Sequence, residues 1–169
     1  MTITEAAQAV GAAIALMTLI VGVVTAIKGV AEFRRDNSLK RIEKFEAMRK
    51  RYDTEEKIQR VNLALNLKQR PGKDSASAVK NLEFGDKIAF MVFFEDIALL
   101  NNAGVLSDEV TFYVFGWDAL LAYETIEFWD EGLSKDDPYW ALFKAFCEKM
   151  ASYRAKYPNM DWPIATLKV

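Results

Sequence analysis

The sequence predicts an all-α protein, with one N-terminal transmembrane helix that continues into a cytoplasmic bundle of four to five helices. Three observations carry this reading. Twenty-two consecutive uncharged residues lie between Glu5 and Lys28. Beyond them, apolar residues recur at three- and four-residue spacing between helix-capping and helix-breaking residues. Alternating strand pairs, internal repeats and low-complexity tracts are not evident in the sequence.

The uncharged run comes first. At about 1.5 Å per residue a helix of this length covers roughly 33 Å, near the hydrocarbon thickness of a bilayer. A secretory signal carries a positive leader and a shorter apolar run, whereas "MTITEAAQ" has an acid and no base. A buried soluble helix is the competing reading, because seven of the 22 residues are alanine. Soluble core helices seldom run so far without a charge, so the expectation is a span over about residues 6–27 within a segment 1–33. Lys28, Arg34, Arg35, Lys40, Arg41 and Lys44 follow it and suit lipid headgroups. Cations resist translocation, which places the N-terminus outside the membrane and the remainder in the cytoplasm.

Gly11, Thr18 and Thr25 recur every seven residues, as do Ala15, Gly22 and Gly29. Together they form a stripe of small residues that permits close approach of a second membrane helix. Spans rich in Ala and Gly show small residues on every face, so ordinary composition is an equal reading. If the stripe is used, the partners are the lipid bilayer and further copies of this chain.

The cytoplasmic elements follow in order. Residues 34–69 read as basic juxtamembrane helices, with Leu39, Ile42, Phe45 and then Met48 or Tyr52 at helical spacing. Asp53 and Glu56 suggest a capping box for a second helix, whose inward residues are Ile58, Val61, Leu65 and Leu67. Pro71 and Gly72 open an expected loop over 70–79. The domain 80–169 then starts with the most apolar segment, "GDKIAFMVFFEDIALLNNAG", a central helix closed by Gly104. Ser107 caps a helix expected to run to Gly132, and Asp137–Pro138 starts a last one that ends at Pro158. Trp162 is expected to pack on the bundle.

Charge is segregated along the chain although the total is only −2. Residues 28–80 hold 15 Lys and Arg against 8 Asp and Glu, while residues 81–137 hold 2 against 13. The chain has no histidine, which excludes Ser-His-Asp and Cys-His catalysis and every histidine-containing metal site. Its one cysteine, Cys147, lies on an apolar helical face and reads as a core residue.

Glu95 and Asp96 interrupt the run "FMVFFEDIALL" without a base three or four residues away. Buried carboxylates must be paired, hydrogen-bonded or protonated. One reading joins Glu95 with Asp118, Glu124 or Glu127 into a Mg²⁺ site or acid–base pair, which would make a membrane-tethered, metal-dependent hydrolase with Glu95, Asp96 and Glu124 as its carboxylates. The favoured reading exposes one acid and bridges the other to Arg60, Lys149 or Arg154, with no catalytic residue, metal or cofactor.

Glu124, Glu127 and Glu131 fall at i, i+3 and i+7 and form an acidic stripe, normally a solvated face. Facing the basic helix of a neighbouring protomer, the stripe becomes an oligomer contact. The basic stretch "FRRDNSLKRIEKFEAMRKR" interleaves acids and lacks alternating aromatics, which disfavours a nucleic-acid-binding adaptor. The aromatics of "YVFGWDALLAY" and "EFWDEG" read as bundle core and rim rather than a ligand cage.

Residues 85–150 resemble a bacterial family of small, membrane-anchored helical proteins catalogued as a domain of unknown function. Phe94, Glu95, Ala98, Gly104, Leu106, Phe115, Gly116, Tyr123, Tyr139 and Trp140 match its outline. "IEFWDEGLSKDD" departs from it, being acidic where relatives carry an Arg. The architecture is also similar to the membrane accessory proteins of RNA-targeting CRISPR systems, a likeness that implies pore assembly and phage defence. The functional expectation is therefore a non-enzymatic, self-associating membrane scaffold or pore, with a possible protein partner on the cytoplasmic bundle.

Overall fold

The computed structural model describes residues 28, 38–69, 75–129 and 132–157, and these are helical or connecting, with no strand among them. The chain divides into two units, Met1–Lys40 and Arg41–Val169. Of the first, Lys28 and residues 38–40 are described, all exposed. The expected span over 6–27 and its stripe of Gly11, Ala15, Thr18, Gly22, Thr25 and Gly29 lie outside the described residues, as do Arg34, Arg35 and Trp162. Among the described residues no helix is long and apolar enough to cross a membrane.

Helix α1 covers 38–54 and α2 covers Glu56–Lys68, separated by a single extended residue, Glu55. The expected capping box at Asp53 is therefore not formed. Asp53 still belongs to α1 and pairs with Arg49 at 3.0 Å, one helical turn back. Leu39 and Ile42 are exposed, contrary to their apolar spacing, whereas Phe45, Met48 and Tyr52 turn toward the core. Helix α2 buries Ile58, Val61 and Leu65 as expected. Helix α3, Ser75–Lys80, occupies part of the expected 70–79 loop. Its run "SASAVK" has one large apolar residue, so periodicity cannot announce it; burying Val79 completely is what holds it.

Helix α4, Phe84–Asn102, is the central rod. It packs against α2 on one side and α7 on the other, and burial of Phe90, Phe93, Phe94 and Ile97 anchors both contacts. Each such side chain contributes about 1.5–3 kcal/mol on leaving water. Gly104 follows with φ +67°, the left-handed conformation that ends many helices. Arg41 donates to its carbonyl.

Helix α5, Asp108–Thr111, starts at Ser107, whose hydroxyl accepts from the Val110 N–H as expected. A π-helical turn, Phe112–Gly116, leads into α6, Trp117–Glu124. The wide turn resets the helical face, so Phe112 and Phe115 within it and Ala119 and Leu120 after it all reach the core. Gly116 allows α7 to approach there, since a β-carbon would stand 2.9 Å from Met150 Sδ. The helix expected to run to Gly132 ends at Glu124 instead. Thr125 is extended and a 3₁₀ turn, Ile126–Phe128, follows. Asp137 caps a second 3₁₀ turn, Pro138–Trp140, and α7, Ala141–Lys156, closes the bundle.

Candidate functional site

The acids singled out by sequence are brought to different places. Glu95 Oε1 accepts the Phe143 N–H at 3.3 Å, so this carboxylate from α4 caps the first turn of α7. Burial pushes its pKa upward, and the N–H opposes that only in part. Asp96 pairs with Arg51 at 2.6 Å, and the same guanidinium holds Glu55 at 2.7 Å. The expected partners are engaged elsewhere. Arg60 holds Asp86 through two hydrogen bonds of 2.7 and 2.9 Å, Lys149 holds Asp108 at 2.6 Å, and Arg154 holds Glu124 at 2.5 Å. Paired with Arg60, the 2 %-exposed Asp86 keeps its pKa below the ordinary carboxylate value.

Glu127 pairs with Lys68 and sits in the 3₁₀ turn, off the helix that carries Glu124. The expected acidic stripe is thus broken at Thr125, and its third member, Glu131, lies outside the described residues. Glu95, Asp96 and Glu124 do not converge. Among the described residues no group of three or more Cys, Asp or Glu is placed to hold a metal ion. Cys147 is buried and its thiol is pushed upward, consistent with its reading as core. Lys40, Arg41 and Lys44 are exposed on α1.

Two features were not foreseen. The first is interior. Tyr52 of α1 donates its hydroxyl to Asp118 of α6, and its ring packs on Phe93, Phe94 and Phe115 at 5.5–6.4 Å. Burial pushes both ionisable groups upward.

The second is at the surface, built by the break at Thr125. The Thr125 N–H still donates to Leu121 O at 3.1 Å, but its ψ of 111° turns the chain out of the helix. The 3₁₀ turn then brings Trp129 back beside α6, where its indole N–H donates to Tyr123 O at 3.2 Å. The two rings stand perpendicular, 89° apart with centroids 6.2 Å apart, and both lean on Phe143. Ile126 at the turn's outer corner is 82 % exposed. Two hollows adjoin along this ridge. One of about 460 Å³ is lined by Lys80, Ile126, Glu127 and Trp129, and one of about 210 Å³ by Tyr123, Glu124, Ile126, Trp129 and Lys135. Lys135 Nζ lies 3.6 Å from the centre of the Tyr123 ring.

Aromatic walls, an exposed isoleucine and mixed charge at the margins suit non-covalent recognition. Nothing in the sequence marks the break, because Gly and Pro are missing between Gly116 and Gly132. Of the residues that suggested a family outline in the sequence, Phe94, Ala98, Leu106, Phe115, Gly116 and Trp140 are buried and serve packing, while Tyr139 is exposed. Comparison with protein-family models, curated proteins and solved structures finds no match to this chain.

Proposed function

We propose that the chain is a single-pass protein of a bacterial inner membrane, anchored by residues 6–27, whose cytoplasmic bundle is a non-enzymatic scaffold. The observation that carries this reading is the run of 22 uncharged residues followed at once by Lys28 and a basic segment. The engagement of the candidate acids agrees with it. Glu95 caps a helix, and Asp96, Glu124 and Glu127 are each paired with a base of the same chain. The exposed ridge around Ile126 and Trp129 offers the bundle a surface for a protein partner.

Self-association belongs to the same proposal and rests on the membrane stripe, because close helix contact in lipid requires small residues. The mass of the detergent-solubilised particle tests it. A multiple of the chain mass that falls to a single chain in Gly22→Leu is expected. A monomeric wild-type particle would overturn self-association, and dye permeability in cells that survives Gly22→Leu would overturn a pore formed through the stripe.

A further inference from the structure

We infer that the hollow between Tyr123 and Trp129 is a binding site for an alkylated ammonium cation, and that the chain's own Lys135 sits in it as a stand-in. The geometry is specific to this lysine. Its Nζ lies 3.6 Å from the Tyr123 ring centre, whereas the other cation–ring contacts among the described residues, of Arg51, Lys87 and Lys156, lie at 5.4–5.8 Å. Lys135 forms no ion pair with a described carboxylate. Lys144, by contrast, pairs with Asp136 at 3.6 Å. The ammonium of Lys135 faces a π-surface, and no described carboxylate pairs with it.

The walls are set before any ligand arrives. The Trp129 indole bond to Tyr123 O fixes the angle between the rings, and Phe143 supports both from behind. About 210 Å³ of open space remains beside Lys135, below the roughly 300–1,000 Å³ of pockets for drug-sized ligands and of a size that suits a small headgroup. Glu124 on its margin adds negative potential, although Arg154 shares that carboxylate. An alkylated ammonium gains more from such a cage than a primary amine, because a lysine ammonium is a compact, strongly hydrated charge. Lys135 projects from the irregular 132–137 segment, so it can leave without disturbing a helix. This inference goes beyond the membrane-scaffold reading and does not depend on it.

Choline, titrated into the full-length chain in a maltoside detergent and followed by calorimetry, is the test. Lys135→Met, which keeps the apolar stem and removes the charge, is expected to bind choline at least ten-fold more tightly than wild type. The neutral isostere 3,3-dimethylbutan-1-ol is expected to bind the same variant at least ten-fold more weakly than choline. In that background Tyr123→Phe retains binding, because the ring face remains, and Trp129→Leu loses it with an unchanged helical circular-dichroism spectrum. Equal choline affinity in wild type and Lys135→Met, or equal affinity for choline and its isostere, would overturn the site. If Trp129→Leu unfolds the chain, Tyr123→Leu beside Tyr123→Phe decides the same question.

Discussion

The hydroxyl of Tyr52 donates to the carboxylate of Asp118, joining α1 to α6 through the centre of an aromatic cluster. Asn62 Oδ1 is also buried, without a protein partner among the described residues. A buried polar contact of this kind adds little net stability when complete. Breaking one side of it is costly, because the remaining group stays desolvated.

Removing the donor alone is therefore expected to be expensive. Tyr52→Phe leaves Asp118 without its phenolic partner and is expected to cost about 1–3 kcal/mol in urea unfolding. A loss no larger than that of an exposed control such as Tyr139→Phe would show that the bond contributes nothing.

The pH dependence has a definite sign. Burial raises the Asp118 pKa in the folded chain above its ordinary value near 3.9. The folded state thus holds this proton more tightly than the unfolded state does. That contribution to stability is complete below about pH 3.9 and is lost as pH rises through the folded value. Asp118→Asn keeps an acceptor for Tyr52 and removes the titration. Its stability relative to wild type is expected to improve between about pH 3 and pH 7 in paired urea melts. Asp86 acts in the opposite sense: Arg60 depresses its pKa, so its contribution is present above about pH 3.9 and fades as pH falls further. Asp86 is common to both proteins and cancels in the comparison.

Glu95 is a helix cap in this fold, and its substitutions should follow capping rules. Glu95→Gln keeps an oxygen for the Phe143 N–H and is expected to be nearly neutral. Glu95→Ala is expected to cost about 1 kcal/mol, the usual loss of a cap. Asp96→Asn weakens a half-exposed pair with Arg51 and is expected to cost at most about 1 kcal/mol. Thermal melts of the three variants check the order.

Gly104 offers a clean backbone test. Its φ is +67° and nothing lies within 4 Å of an added β-carbon, so Gly104→Ala introduces conformational strain without a clash. The expected cost is about 1–2 kcal/mol, measured by thermal or urea melts.

The parts of this fold that were legible in the sequence are those whose signals are local. Gly104, Ser107 and Asp137–Pro138 end or start helices by their own backbone and side-chain chemistry. The apolar circumference of residues 84–102 marks a helix covered on more than one side. What escaped depends on distant partners. Leu39 and Ile42 share the helical spacing of Phe45 but are exposed, and spacing alone carries no information on what covers a face. The pairings of Asp96 with Arg51 and of Asp86 with Arg60 are choices among many bases, made by helix packing. The Tyr123–Trp129 corner needs the break at Thr125, which no residue there announces.

The central claim is that residues 6–27 hold the chain in a bilayer. Extraction of cell membranes at alkaline pH, followed by detergent, tests it most directly. The full-length protein is expected to stay in the membrane pellet through the alkaline wash, and to enter solution only with detergent. Recovery of the intact chain in the aqueous fraction without detergent would contradict the proposal.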